Sequence, residues 1–396
     1  MKISLLTGGS DKTYAFGLLL SLIQKGIEVD FIGSDQLQDE SIIRQKNINF
    51  YNLYGNIKPN ASRKQKMFRI LNFYSKIVKY TINTDIKLFH ILWLNQNKFL
   101  YFDMTILNIF YKLLGKKIIF TAHNIDIQER DGKSTFLNRL FLKFLYRIVD
   151  HIFVHTEKMK HQLFDRFHVR EDKVTVIPFG INKIVPNTEI TRENARSELS
   201  LEADEKVLLF FGHIAPYKGL EYLILSLAYL INKHENIKLI IAGKIKYKIG
   251  EEYWGKIRNI IRKHNLESNI IEDIQFILDE KVEIYFKAAD VLILPYKSIF
   301  QSGVVFLSYN FGLPIIATDV GSLREEIVEG KTGFVCRPEN PEDLAKTIDK
   351  YFNDGLFKNI ELNRNNIIKY ANEKNSWEKV GEITCDVYKH LNDYRR

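Results

Sequence analysis

The 396-residue sequence has little cysteine, few acidic residues in one long stretch and no uninterrupted apolar run of membrane length. Its two cysteines, Cys336 and Cys385, cannot make a disulfide framework or, by themselves, a zinc site. They read as small buried hydrophobes. The opening MKISLLTGGSDK has too short an apolar run for a secretory signal. The most apolar later stretch, residues 99–115, is interrupted by Asp103 and Lys112, so no window offers the ~20 uncharged residues of a membrane span. A soluble or peripheral protein is expected. No helix-turn-helix, RNA-recognition signature or zinc spacing is present, which argues against nucleic acid as a partner.

What is there is apolar, aromatic and basic. With 45% hydrophobic and 13% aromatic residues the chain is too apolar for disorder, and it is long enough for two domains. Lys and Arg number 57 against 48 Asp and Glu. A basic chain suits nucleic acid, an anionic membrane surface or phosphorylated substrates. The excess is local. Residues 1–180 hold 27 basic and 16 acidic side chains, and the remainder holds 30 and 32. Residues 51–100 hold nine basic side chains and one acidic.

The pattern is α/β. A strand at Lys2–Thr7, a Gly8-Gly9-Ser10 turn, a helix from Lys12 to Lys25 and a strand at Ile27–Ile32 make a βαβ unit, which builds parallel sheet. Further strands are expected at Ile86–Leu94, Lys117–Thr121, Val149–His155 and Val174–Ile177. A second series follows at Lys206–Phe211, Ile237–Ala242, Ile274–Ile277, Val291–Pro295 and Pro314–Ala317. The organisation expected is two Rossmann-like, doubly wound domains, 1–180 and 181–371. A helix over 372–396, with Trp377, Val380, Ile383 and Val387 on one stripe, is expected to return to the first domain. Such domains facing a cleft would present the loops after their strands to a ligand.

Two of those loops are suited to anions. In Phe210-Phe-Gly-His-Ile-Ala-Pro-Tyr-Lys-Gly-Leu220 a strand end leads to Gly212, His213 and Lys218, placed to meet a diphosphate. In the segment from Leu294 to Pro314 a loop ends at Gln301-Ser302-Gly303 and opens an apolar helix. Ser302 is a good N-cap, and the first-turn N–H groups of Gly303 and Val304 can hold an anion. Two such loops in one sheet suggest a nucleoside diphosphate.

These segments, with LIIAGK (which contains Gly243), VGSLREEI, EGKTGFVCRPENPEDLA, FTAHNIDIQERD, DHIFVHTEKMKHQL and KVTVIPFGIN, resemble the family 4 ("group 1") retaining glycosyltransferases of the GT-B fold along nearly the whole chain. The resemblance implies a nucleotide-diphospho-sugar donor in the C-terminal domain, retention of anomeric configuration, and neither cofactor nor metal. The lack of an Asp-x-Asp pair near the donor loops agrees with the last point. Lys218 matches the family's phosphate-binding lysine, and His213 stands where arginine is usual. The family's two glutamates, eight residues apart, would fall on Ile299 or Phe300 and on Leu307 or Ser308, none a carboxylate. Gln301, Ser302 and backbone N–H groups are expected to replace them.

In the N-terminal half, Gly8 and Gly9 match the flexible loop beside the reacting sugar. His123 ends a strand and is expected at the reacting centre, as is His90, while Asn124 is expected as an acceptor or loop residue. The basic segment Ser62–Tyr80 reads as an amphipathic helix. Met67, Ile70, Leu71, Tyr74, Ile77 and Val78 form its apolar stripe, and Arg63, Lys64, Lys66 and Arg69 are among its charges. It is suited to docking on an anionic leaflet. A second such segment is Arg139–Arg147. The expected activity is hexosyl transfer from a nucleotide sugar to a lipid-linked or surface-polysaccharide acceptor, at the cytoplasmic face of the membrane. The alternatives are a nucleotide-sugar epimerase of the same fold, a non-catalytic partner subunit and a nucleic-acid-binding protein.

Overall fold

The computed structural model describes residues 1–8, 12–56, 62–94, 100–126, 135–181, 185–234, 236–245 and 247–393. It divides into two compact units, residues 1–180 with 375–396, and residues 181–374.

The first unit is built on seven strands: β1 (Lys2–Leu6), β2 (Glu28–Gly33), β3 (Ile48–Asn52), β4 (Leu88–Ile91), β5 (Lys117–Thr121), β6 (His151–Val154) and β7 (Val174–Val176). They lie in the order β3-β2-β1-β4-β5-β6-β7, and each neighbouring pair is parallel. β4 and β6 are buried along their whole length, as strands covered on both faces must be, and so they are apolar but for His90 and His151. The main helices are α1 (Lys12–Gln24), α2 (Arg63–Asn83), α3 (Asn108–Leu113), α4 (Phe136–Ile148) and α5 (Glu157–Phe167). Strand order turns back between β1 and β4, so the loops after these two strands flank a crevice.

The second unit carries α6 (Arg192–Glu198), β8 (Lys206–Phe211), α7 (Leu220–Leu230), β9 (Ile237–Ala242), α8 (Tyr247–Lys263), β10 (Ile270–Asp273), α9 (Asp279–Ala288) and β11 (Val291–Leu294). It continues with α10 (Gly303–Asn310), β12 (Ile315–Thr318), β13 (Gly333–Cys336), α11 (Pro341–Asn353) and α12 (Ile360–Lys374). Its six strands run β10-β9-β8-β11-β12-β13, with the switch between β8 and β11. A buried ion pair ties α6 to the sheet. Arg196 donates to both Asp290 oxygens (3.1 and 3.0 Å) and to the Ala288 carbonyl, and Asp290 also accepts from the Val207 N–H.

The last helix, α13 (Trp377–Asp393), lies on the first unit against α1. The Trp377 ring fills a slot that only glycine permits. A Cβ on Gly17 would lie 2.0 Å from its Cε2, and one on Gly180 2.3 Å. The buried stripe of α13 is Val380, Gly381, Thr384, Cys385 and Tyr388; Ile383 and Val387 flank it half-exposed. The sequence stripe was therefore rotated: Tyr388 faces inward because its hydroxyl bonds His90 Nδ1 at 2.6 Å.

Three strand expectations are corrected. Residues 274–277 are not a strand; the pairing segment is β10, whose Glu272 and Asp273 masked it as a loop. β3 and β13 were not foreseen as strands, being short edge strands, β3 with a half-exposed polar face. The expected strand at Ile86–Leu94 contracts to Leu88–Ile91.

Candidate functional site

In the second unit three loops converge at the β8/β11 switch. The backbone after β8 passes through Gly212 (φ +111°) and runs beside that after β9, where Gly243 has φ +144°. A Cβ on Gly243 would lie 1.9 Å from the Gly212 carbonyl oxygen, so the two turns can approach only without side chains. The first turn of α10 comes to the same place: a Cβ on Gly212 would meet Val304 Cγ2 at 3.8 Å.

Lys218 ends the short helical turn Pro216–Lys218 and is buried. Its Nζ donates to Tyr296 Oη and sits 3.8 Å from the centroid of that ring. Burial holds the Tyr296 hydroxyl in its neutral form, and Ser302 Oγ lies 3.4 Å from it. Lys218, Tyr296 and Ser302 thus join the loops after β8 and β11. His213, in contrast, is exposed.

Ser302 stands at the N-cap position of α10, but its side chain bonds none of the helix N–H groups. The expected cap is absent because Ser302 Oγ is turned to Tyr296. The helix N-terminus keeps its partial positive charge. Gln301 is oriented by a residue the sequence reading passed over. Its Nε2 donates to Glu326 Oε1 (3.4 Å), a buried carboxylate that also meets Lys374 Nζ at 3.5 Å. Burial raises the Glu326 pKa, against the pull of Lys374. Gln301 Oε1 remains a buried acceptor with no partner, and it can receive a ligand hydroxyl or N–H. Ser308 donates to the Leu313 carbonyl and Leu307 is buried, so both belong to the core and not to a ligand.

In the first unit Gly8 (φ +67°) closes on the loop after β4, its would-be Cβ 2.6 Å from Trp93 Cβ. Trp93 stacks on His123 (centroids 4.1 Å, planes 9° apart), and Tyr14 meets the His123 ring edge-on at 4.5 Å. Asn124 follows His123, half-exposed. Gly9 lies outside the described residues. His123 Nδ1 is 2.9 Å from His155 Nε2, while its Nε2 is buried without a hydrogen-bond partner. Burial, followed by the neighbouring His155, drives the His123 pKa well down, so the ring is neutral. His90 requires correction. It is fully buried inside β4, with Nδ1 on Tyr388 and Nε2 on Thr121 Oγ1 at 2.7 Å, and burial lowers its pKa to about 3. Nδ1 fastens α13 to the sheet and Nε2 ties β4 to β5, and neither is left for substrate.

Beside Trp93 lies a pocket of about 20 Å³, room for one water or hydroxyl, lined by Leu6, Asp103, Asn108 and Tyr111 among others. Tyr74 Oη donates to Asp103 at 2.5 Å, and Asn108 Oδ1 and Tyr111 Oη are buried without partners. Asp103 registered in the sequence only as a break in an apolar run. No linear signal ties it to the β4 loop.

The basic helix exists as α2, with a Ser62–Gln65 capping box at its start. Its faces differ from expectation. Phe73 and Ile77 enter the core, whereas Met67, Phe68 (74% exposed) and Leu71 face solvent near Lys64 and Lys66. Arg69 donates to the Asn56 carbonyl, and the Arg63 side chain lies outside the described ones. On α4, Phe136 (84% exposed), Leu137, Leu140 and Phe144 are exposed beside Arg139 and Arg147. The two helices are linked through Tyr74–Phe102 and Tyr101–Phe141 ring contacts. Among the described residues no helix is long and apolar enough to cross a membrane, and no cluster of three or more His, Cys, Asp or Glu is arranged to hold a metal ion.

Comparison with known proteins adds a family. Residues 191–374 match the model for glycosyl transferases group 1, and residues 12–183 match that for Glycosyltransferase Family 4. The chain is 30% identical over 242 residues to an uncharacterized glycosyltransferase of Methanocaldococcus jannaschii, covering 59% of this chain and 58% of that one. It is 25% identical over 254 residues to a D-inositol 3-phosphate glycosyltransferase of Streptomyces bingchenggensis, covering 62% and 54%. The match thus spans little more than half the length of each of these relatives. Among solved structures, sucrose-phosphate synthase from Thermosynechococcus elongatus superposes with a TM-score of 0.78 at 18% identity, over 99% of both chains. The Anabaena protein HepE in complex with UDP gives 0.74 at 17% identity, over 98% of this chain and 100% of that one. Both superpositions show the fold, GT-B.

Proposed function

We propose, for a chain that belongs to the group 1 glycosyltransferases, that it transfers a sugar from a nucleotide-diphospho-sugar to a lipid-linked or surface-glycan acceptor. The observation that carries this reading is the meeting of Gly212, Lys218, Tyr296 and the uncapped N-terminus of α10 at the β8/β11 switch. There Lys218 and the α10 N–H groups neutralise the charge that develops on the departing diphosphate. Gln301, held by Glu326, offers an acceptor to a donor hydroxyl where relatives are expected to use carboxylates. In this reading a lysine and a helix terminus supply that positive charge, and no metal is required. Transfer with retention belongs to the same reading.

In the first unit the Trp93–His123 stack and the adjoining pocket offer an apolar face and hydroxyl partners, the chemistry a sugar ring needs. The exposed aromatic and basic side chains of α2 and α4 suit the headgroup region of an anionic leaflet, where a lipid-linked acceptor resides. The test is calorimetric binding of a nucleoside diphosphate panel, followed by turnover of nucleotide sugars with and without lipid acceptors. Diphosphate release that needs an acceptor supports transfer. Turnover without acceptor indicates an epimerase, and no binding at all a non-catalytic partner.

A further inference from the structure

We infer that His155 is a positioning residue that fixes the tautomer of His123, so that His123 Nε2 meets its ligand as a hydrogen-bond acceptor and not as a donor. The deduction follows the hydrogen bonds outward from the backbone. His155 Nδ1 lies 3.3 Å from the Ile177 carbonyl oxygen, which can only accept, so Nδ1 carries the proton. In a neutral ring the other nitrogen, Nε2, is then a lone pair. That lone pair faces His123 Nδ1 at 2.9 Å, and Nδ1 of His123 must donate to it. His123 Nε2 is left unprotonated, buried and without a partner.

The surroundings keep both rings neutral. Tyr14 and Phe179 lie against both histidines, Trp93 covers the face of His123, and each ring is buried. Burial lowers the His155 pKa to about 4. A buried acceptor left unmatched costs stability, so the free site favours a group that brings its own proton. The ligand class is a hydroxyl donor, such as a sugar or polyol O–H, and a carboxylate or phosphate oxygen is disfavoured there. The residue at 155 has no role in the sequence reading. Its effect depends on β6 and the loop after β5 bringing two rings together that are 32 residues apart.

The experiment reads the tautomer directly. Two-bond ¹H–¹⁵N correlation of the full chain labelled at its ten histidines, with His123 assigned by His123→Asn, shows which nitrogen bears the proton. The wild type is expected to show His123 protonated at Nδ1. His155→Phe keeps the ring volume and removes the acceptor, so His123 should move towards the Nε2–H form. His155→Gln retains one donor and one acceptor and should keep Nδ1–H. A wild-type His123 protonated at Nε2, or a tautomer unchanged by His155→Phe, overturns the inference. If neither variant folds, the wild-type spectrum decides alone.

A kinetic arm rests on the transferase reading: His155→Phe should lose about tenfold in kcat/KM, the size of one neutral hydrogen bond, and His155→Gln should recover it. Because the tautomer is read without substrate, failure of the transferase reading leaves that result intact. An unchanged kcat/KM beside a shifted tautomer would overturn the hydroxyl-acceptor role of Nε2.

Discussion

Lys218→Met separates a functional lysine from a structural one, because the two readings predict opposite signs. Lys218 is only 7% exposed, and its ammonium rests on the Tyr296 ring at 3.8 Å with a hydrogen bond to the hydroxyl. Burying that charge is costly, and an apolar side chain of similar length removes the cost. The melting temperature of Lys218→Met is therefore expected to stay level or rise. Ligand binding should go the other way. A charge-assisted bond to a phosphate oxygen contributes about 1.5–3 kcal/mol, so the Kd for whichever nucleoside diphosphate the panel selects should rise roughly ten- to 150-fold. Tyr296→Phe keeps the ring and loses the hydroxyl, and it should cost several-fold less. Isothermal titration with that diphosphate and thermal denaturation of the same preparations measure both quantities. A variant that melts lower and binds the diphosphate as the wild type does would refute the donor-site reasoning and make Lys218 a structural element.

Three further outcomes are expected. Gly17→Ala should drive a methyl into the Trp377 ring and cost about 1–3 kcal/mol of overpacking, read as a lower urea midpoint; an unchanged midpoint would mean that α13 is not clamped there. Neutralising Arg63, Lys64, Lys66 and Arg69 together should weaken binding to anionic vesicles by up to about a thousandfold at ~1 kcal/mol each while nucleotide binding persists, and Phe68→Ser with Phe136→Ser should weaken vesicle binding further. Loss of both activities together, or of neither, would break that division of labour. His90, His151 and His155 are held by burial at about 3, 4 and 4 against an ordinary 6.5, so their neutral forms stabilise the fold fully above pH 6.5. That stability drains as pH falls below 6.5 towards the folded-state values. The urea midpoint of the wild type should decline between pH 6.5 and 5, and His90→Asn should flatten the decline; a level wild-type profile would contradict it.

The α/β plan was legible in the sequence because buried parallel strands are short apolar runs separated by helices, a pattern that needs no tertiary knowledge. Edge strands broke the pattern. β3 and β10 carry polar side chains where one edge is solvated, and so they were missed or displaced. The loops after β8, β9 and β11 were legible for a related reason: glycine at a strand end and a helix start are local signals, and Gly212, Gly243 and Ser302 lie beside the switch.

The charge distribution was also a property of the chain alone, since counting placed the basic excess in residues 1–180 without any fold. Which side chains express it was not. On α2 the helical period allowed several rotations, and only packing against the sheet chose Phe73 and Ile77 for the core, leaving Met67, Phe68 and Leu71 outside. Histidine showed the same limit most sharply. His90 lies within an expected strand and His123 just after one, and nothing in either local sequence says which ring keeps a nitrogen open. Tyr388, which is 298 residues away, occupies one nitrogen of His90, while His155 occupies one nitrogen of His123 and leaves the other open. A hydrogen bond is decided by the atom that arrives opposite, and for these two rings that atom comes from another element of the fold.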